Sequence, residues 1–242
     1  VDKDQPSEEE QHQEWLEQLQ SETMQRKMSV ICRVPLLRQL QKVSISALAD
    51  KLTSRRFAAN ETLAAADEKC TQMFFIRRGE VSLRDRTQAS TSVDTKQAGQ
   101  YAGDYELLHN RKWTHSLVSR EKPVAVVNTV CAKYFEQLKS DWEQTVDDSD
   151  QVIWYWFECW LSNNDICTDD EIEALYKDQS VKHGKDATES GKLHLHISME
   201  TAGRILKQEW DRGGVLVYYL EKESLHSVVG ISEDVSRTIP RT

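Results

Sequence analysis

The residues best suited to chemistry lie together in one stretch, Gly99–Ser116, which reads GQYAGDYELLHNRKWTHS. Two glycines, Gly99 and Gly103, stand four residues apart, and a carboxylate follows at Asp104. Glycines at this spacing let the backbone bend tightly, so that its N–H groups can face an anion or a small ligand. The stretch is therefore the predicted small-molecule pocket.

The predicted effector-binding residues all belong to this stretch. They are Gly103, Asp104, Tyr105, Glu106, Trp113, Thr114 and Ser116. No catalytic residue is predicted, because the sequence has no P-loop, no GxSxG, no HExxH and no dinucleotide fingerprint. We therefore expect a binding protein, not an enzyme, with a small molecule or nucleotide as effector and no other cofactor.

The elements that must position this pocket are short strands. The segment Met73–Leu83, MFFIRRGEVSL, alternates apolar and polar residues around a turn at Gly79, which is typical of two half-buried strands. Similar short runs recur about every ten residues from Arg55 to Val130, and this spacing predicts a small antiparallel barrel or roll.

A helical pattern with large aromatic side chains follows the strands. Its apolar residues recur at three- to four-residue steps and include Phe135, Leu138, Trp142, Trp156 and Trp160. This predicts one long helix over 133–165. The stripe has two interpretations: core packing within one chain, or a two-fold dimer seam through residues 135–161. The seam is favoured, because one roll cannot easily cover so long a stripe.

The strands and the glycine-rich stretch resemble a cyclic-nucleotide-binding domain. The phosphate-binding cassette of that family opens with Gly-x-x-Phe-Gly-Glu-Leu-Ala, and the similar residues here are Gly99, Tyr101, Gly103 and Asp104. The family carries an arginine nine residues after its glutamate, where this sequence has Trp113. A buried cyclic phosphate needs a charged partner, and an indole has one N–H donor and no charge. The resemblance therefore implies an effector other than cyclic AMP, or none.

The C-terminal part resembles the CRP/FNR family of transcription regulators. LHLHISMETAGRIL is similar to the strand and first helix of that family's helix-turn-helix, and WDRGGVLVYYLEKESLHSVVG has the length of its recognition helix and the start of its wing. The DNA-binding residues implied by this resemblance are Lys207, Trp210, Asp211, Arg212 and Val215. Asp211 could accept a hydrogen bond from a cytosine amino group.

Together these interpretations give an α+β fold class: an N-terminal antiparallel β-roll, a long dimerisation helix and a C-terminal winged helix-turn-helix. The expected domains are a polar, helical extension over 1–29, the roll over 30–132, the dimerisation helix over 133–165 and the DNA-binding-like domain over 166–242. The expected function is that of a dimeric CRP/FNR-type transcription regulator with a diverged effector pocket. The alternative is a signalling or scaffold module of the same binding type that acts through a protein partner without DNA.

Charge and cysteine content limit these hypotheses. A net charge of −9 gives no support to DNA binding, which usually shows a basic footprint. Five widely spaced cysteines favour neither a disulfide framework nor a metal site, and no metal is predicted. No apolar run suits a membrane span or a signal peptide, so we expect a cytosolic protein.

Thr168, with Glu171 three residues on, predicts a capping box at the start of a helix.

Overall fold

The computed structural model describes residues 8–85, 92–120, 124–145, 151–183 and 195–229. The chain divides into two compact units, Val1–Leu52 and Thr53–Thr242. The first unit holds helix α1 (Glu8–Ile31), a 3₁₀ turn (Leu37–Gln39) and helix α2 (Lys42–Asp50), and α1 packs against α2. Among the described residues, no helix is both long enough and apolar enough to cross a membrane.

The second unit begins with a run of short strands. These are β1 (Thr53–Phe57), β2 (Thr62–Ala64), β3 (Gln72–Arg78), β4 (Glu80–Arg84), β5 (Ser92–Gln97), β6 (Tyr101–Ala102) and β7 (Ser116–Ser119), with helix α3 (Asp104–Leu108) between the last two. All pair antiparallel within two four-stranded sheets. The predicted antiparallel roll is thus present.

A long helical segment interrupts the roll between β7 and its last strand. We call residues 120–214 the helical insertion. It contains α4 (Val124–Thr145), β8 (Gln151–Ile153), α5 (Trp154–Asn163), α6 (Asp169–Lys182), β9 (His196–Ser198) and α7 (Met199–Asp211). β8 and β9 pair antiparallel with each other. The chain then returns to the roll as β10 (Val215–Glu221) and continues into α8 (Lys222–Val229).

Strand β10 corrects the prediction of a recognition helix. The segment VLVYYLE lies in the middle of a sheet of order β1-β10-β3-β6, hydrogen-bonded on both edges. Its β-branched and aromatic side chains suit a strand with both faces covered, and Val215, Leu216, Val217 and Leu220 are fully buried. The recognition helix expected here is therefore wrong, and the roll takes its strands from both 30–132 and 166–242.

The single long helix predicted over 133–165 is also wrong. Helix α4 ends at Thr145, strand β8 intervenes, and α5 begins at Trp154. The two helices fold onto each other, and the Trp142 and Trp156 rings meet edge to face, 5.8 Å apart. Leu138, Trp142, Trp156 and Trp160 are all buried within one chain, so most of the stripe forms the core of the insertion, whereas Phe135 is 39% exposed. A homodimer through residues 135–161 stays a prediction that these contacts do not test.

Two short-range expectations are confirmed. Thr168 caps α6, with Glu171 N–H donating to its hydroxyl and Thr168 N–H donating to the Glu171 carboxylate. The first helix expected within LHLHISMETAGRIL is α7, which begins at Met199 and which Ser198 caps by accepting from Thr201 N–H.

Candidate functional site: a phosphate-binding-type cassette filled by tryptophan

The cassette forms where β6 turns into α3. Gly103 makes this turn with a φ of 91°, a conformation that favours glycine, and its carbonyl accepts the first helical bond from Leu107 N–H at 2.9 Å. Asp104 and Glu106 lie in the first turn of α3. Two negatively charged carboxylates thus lie at the start of the helix, where a bound anion would need positive charge.

Trp113 fills the space beside this turn. Its side chain is only 6% exposed, and its ring stacks on Phe74 with centroids 5.9 Å apart. A Cβ atom added to Gly103 would collide with the outer edge of the indole. The indole therefore lies directly against the backbone at the start of α3, and no larger residue fits at position 103.

Backbone hydrogen bonds hold the tryptophan in place. Trp113 N–H donates to the Glu68 carbonyl at 2.8 Å, and Asp67 N–H donates to the Trp113 carbonyl at 2.9 Å. Cys70 N–H also donates to the Arg111 carbonyl at 3.0 Å. Segment 111–113 is thus joined to 67–70 at several points, which fixes the direction of the indole without any ligand.

The remaining predicted effector residues make local contacts. The Thr114 hydroxyl donates to the Glu106 carboxylate at 3.2 Å, and the Ser116 hydroxyl accepts from Ala66 N–H at 3.0 Å. Tyr105 points outward, 49% exposed, with its ring 4.5 Å from His109. The structure therefore brings Gly103 into contact with Trp113, and Glu106 into contact with Thr114. The side chains of Tyr105 and Ser116 contact other residues instead.

The local electrostatics are acidic. Burial raises the pKa of the Cys70 thiol to about 12, and the nearby Glu106 and Asp104 carboxylates add to this effect. Burial and then Asp104 also raise the pKa of Tyr101. Cys70, which donates to the Gln72 carbonyl, is a cassette residue that sequence reasoning missed. Nothing in the sequence distinguishes it from the other dispersed cysteines.

The predicted DNA-binding residues do not form one exposed face. Val215 is fully buried in β10, and Trp210 is buried between Tyr134 and the guanidinium of Arg78. Lys207 and Asp211 pair with each other on α7 at 2.6 Å. Arg212 follows α7 and pairs with Glu209 of that helix at 3.0 Å.

Three arginines on strands of the roll attach the helical insertion to the roll. We call Arg56, Arg77 and Arg78, with the insertion groups they contact, the arginine seam. Arg56 donates to the Glu171 carboxylate at 2.5 and 3.0 Å and to Glu209 at 3.3 Å. It also donates to three backbone carbonyls, those of Ile166 and Gly213 at 2.9 Å and that of Glu209 at 3.4 Å.

The two other arginines extend the seam. Arg77 donates to the Asp165 carboxylate at 2.7 Å and to the Ser162 carbonyl at 2.8 Å, while its guanidinium lies 4.1 Å from the centre of the Tyr218 ring. The guanidinium of Arg78 lies over Trp210 at 4.7 Å, and burial, followed by the charge of Arg56, lowers its pKa to about 10. The seam thus joins β1 and β3 to α5, α6 and α7.

The pKa values of the two carboxyl groups in the seam, Glu171 and Glu209, shift in opposite directions. Burial acts to raise the pKa of Glu171, but the hydrogen bonds from Arg56 and from Thr168 N–H outweigh burial and lower it. Burial is decisive for Glu209 and raises its pKa, although Arg212 and Arg56 act against this rise. Glu171 is therefore held as the charged partner of Arg56 more firmly than Glu209.

Similarity to known proteins is found over part of the chain. The family model of the cyclic nucleotide-binding domain matches residues 54–139. No curated protein matches the chain in sequence.

Several solved structures are similar in part. One is the regulatory subunit of a cAMP-independent protein kinase A from Trypanosoma brucei (21% identity, TM-score 0.35), covering 41% of this chain and 36% of that one. Another is the regulatory domain of Toxoplasma gondii PKA with cAMP (16% identity, TM-score 0.36), covering 41% and 40%. A third, from Trypanosoma cruzi and bound to guanosine, has 26% identity and a TM-score of 0.33, covering 40% and 36%.

The match in each case spans less than half of the other protein. The family match covers the strands from β1 to β7, the cassette and the first part of α4, and strand β10 lies outside it. Residues 54–139 are a cyclic nucleotide-binding domain.

Proposed function

We propose that this chain is a non-enzymatic signalling or scaffold module of the cyclic nucleotide-binding type. Its cassette is closed to cyclic nucleotide phosphates, and it acts through a protein partner. The observation that carries this proposal is the position of Trp113, whose buried indole lies on Gly103 at the start of α3. The proposal keeps the cytosolic location expected from the sequence.

Steric and electrostatic effects both support a closed cassette. The indole occupies the space next to the helix start, and it carries no charge where the family has an arginine. Glu106, at the alanine position of the family motif, adds a carboxylate that repels a phosphate at short range. A cyclic nucleotide would therefore lose its cationic partner and meet a like charge.

Isothermal titration calorimetry with cyclic AMP and cyclic GMP tests this proposal. We expect no saturable binding by the unaltered chain and binding of at least one nucleotide by the double variant Glu106→Ala, Trp113→Arg. The matched control is Tyr105→Arg, which adds an arginine on the exposed side of α3 and should bind neither nucleotide. Saturable binding of either nucleotide by the unaltered chain would overturn the closed cassette.

A dimeric CRP/FNR-type regulator is the rival function. Against it stand the strand at β10, the burial of Trp210 and Val215, and the net charge of −9. Binding of the purified chain to genomic DNA fragments at two salt concentrations separates the two hypotheses. We expect no selected site; enrichment of one palindromic site, weakening steeply with salt, would replace our proposal with the regulator.

A further inference from the structure

Three potential metal ligands converge within the arginine seam. The Cys167 sulfur and carboxylate oxygens of Glu171 and Glu209 all lie within 4.8 Å of one another. Cys167 directly precedes the cap of α6, Glu171 lies in the first turn of that helix, and Glu209 comes from α7. Three segments of the insertion thus present one thiol and two carboxyl groups to the same point.

One of these ligands has an unused oxygen. The Glu209 side chain is 0% exposed, and its Oε2 accepts from Arg56 and Arg212. Its Oε1 is buried and, among the described residues, has no hydrogen-bond partner. Buried acceptors without partners are rare in folded proteins and costly, so this oxygen points to a missing ligand.

We propose that Cys167, Glu171 and Glu209 bind one divalent transition-metal ion of the Zn²⁺ type. A thiolate with two carboxylates suits a borderline-soft ion, which is normally four-coordinate, and a water molecule completes the set. Zinc–sulfur and zinc–oxygen bonds of about 2.3 and 2.1 Å place ligand atoms roughly 3.5 Å apart. The three side chains therefore need to approach one another by about an ångström.

Charge balance identifies the group that must move. A Cys167 thiolate and two carboxylates carry three negative charges, which the ion and Arg56 together neutralise; the buried Arg78, which interacts electrostatically with Cys167 and Glu171, adds a further positive charge. The Cys167 thiol proton passes to solvent water on binding. Arg212 becomes surplus, and its side chain is 47% exposed, whereas that of Arg56 is only 11% exposed. Arg212 therefore swings into solvent while Arg56 stays on Glu171.

The structure also provides an entry route. A cleft of about 540 Å³ between α6 and α7 is lined by Glu171 and Arg212, among others. An ion that enters this cleft meets Arg212 first and reaches the cluster once that side chain turns outward. Arg212 is thus both the competitor of the ion and its gate.

Titration of the full chain, first stripped with a chelator, with Zn²⁺ and Co²⁺ tests the site. We expect one ion per chain, and a thiolate-to-cobalt charge-transfer absorption with visible bands of tetrahedral strength. Cys167→Ser should remove the charge-transfer absorption, and Glu209→Gln should weaken Zn²⁺ binding by about 100-fold. The matched control is Cys70→Ser, which removes an equally buried thiol of the roll and should leave binding unchanged.

The Arg212→Gln variant separates a metal site from a plain ion-pair network. If the ion displaces Arg212, this variant should bind Zn²⁺ about tenfold more tightly, because the competing cation is gone. Its side chain is half exposed, so the variant should fold even if Cys167→Ser does not. Absence of the charge-transfer absorption in the unaltered chain, or Zn²⁺ binding that Arg212→Gln does not strengthen, would overturn the proposal.

Discussion

The cassette and the arginine seam differ in the side chain that each one buries: a neutral indole in the cassette and a charged guanidinium in the seam. At the cassette, where the family holds an arginine, the chain has a neutral indole packed on Phe74 and Gly103. At the seam, the chain buries Arg56 against two carboxylates and three backbone carbonyls. A buried guanidinium needs fixed partners from the protein itself or from a ligand. The difference shows that this chain uses its buried arginines to hold the insertion, and has a neutral indole beside the acidic start of α3 in its cassette.

The largest expected effect comes from removing the central arginine of the seam. Arg56→Met leaves the largely buried Glu171 without its main partner and removes one of the two arginines that pair with the fully buried Glu209. It should lower the free energy of unfolding by about 5 kcal/mol. Urea denaturation measures this loss. The neighbouring Arg55→Met is the control, since its pair with Glu61 is exposed and should contribute at most about 1 kcal/mol. Equal losses at the two positions would contradict the seam as the main attachment.

A slightly smaller effect is expected at the cassette. Trp113→Ala removes a buried ring and leaves a cavity, which should cost about 4 kcal/mol of unfolding free energy. Tyr105→Ala, in the exposed part of the same cassette, should cost about 0.5 kcal/mol by the same urea measurement. A loss below about 1 kcal/mol for Trp113→Ala would mean that the indole is not part of the core.

The cap of α6 should have a moderate effect. Thr168→Ala removes the acceptor for Glu171 N–H and loosens the carboxylate that Arg56 holds, so we expect a loss of about 1 kcal/mol. Ser198→Ala removes the corresponding cap of α7, which no seam carboxylate shares, and should cost less. A larger loss for Ser198→Ala in thermal unfolding would argue that Glu171 is positioned by Arg56 alone.

The smallest expected effect is a difference in pH dependence. The lowered pKa of Glu171 means that its charge stabilises the fold above the usual glutamate pKa, and this stability is lost as the pH falls through the lowered value. The raised pKa of Glu209 has the opposite sign: its contribution is present at low pH and is lost as the pH rises through the raised value.

Unfolding free energies of Glu171→Gln and Glu209→Gln between about pH 3 and pH 7 test these signs. The deficit of Glu171→Gln relative to the unaltered chain should grow with pH, whereas that of Glu209→Gln should shrink. Parallel slopes for the two variants would show that the carboxyls titrate alike and that burial does not separate them.

Strand β10 shows where sequence reasoning failed. The run VLVYYL is short, continuous and rich in β-branched and aromatic residues, and it follows Gly213 and Gly214, which is typical of a buried strand. A resemblance in length and order to a recognition helix led to the wrong prediction. The partners of this strand, β1 and β3, precede it by more than a hundred residues, so no local pattern could identify them.

The sequence by itself determined the features that neighbouring residues complete. The turn at Gly79 and the box of Thr168 with Glu171 each depend on atoms a few residues apart, so local chemistry suffices. The half-burial predicted for β3 is wrong, because all five residues 73–77 are buried and the strand is covered on both faces. The sequence also has Trp113 where the resemblance expects an arginine, and the effect of this tryptophan on phosphate binding stays a prediction.

Only the tertiary structure decided which distant groups meet. Arg56 and Glu171 are 115 positions apart, and their hydrogen bonds exist because the insertion folds back onto β1. The same holds for the indole of Trp113 on Gly103, whose contact depends on how segment 111–113 joins 67–70. Such contacts depend on the path of the whole chain, because the partners of a buried charge or ring are the residues of the elements that the fold packs against it.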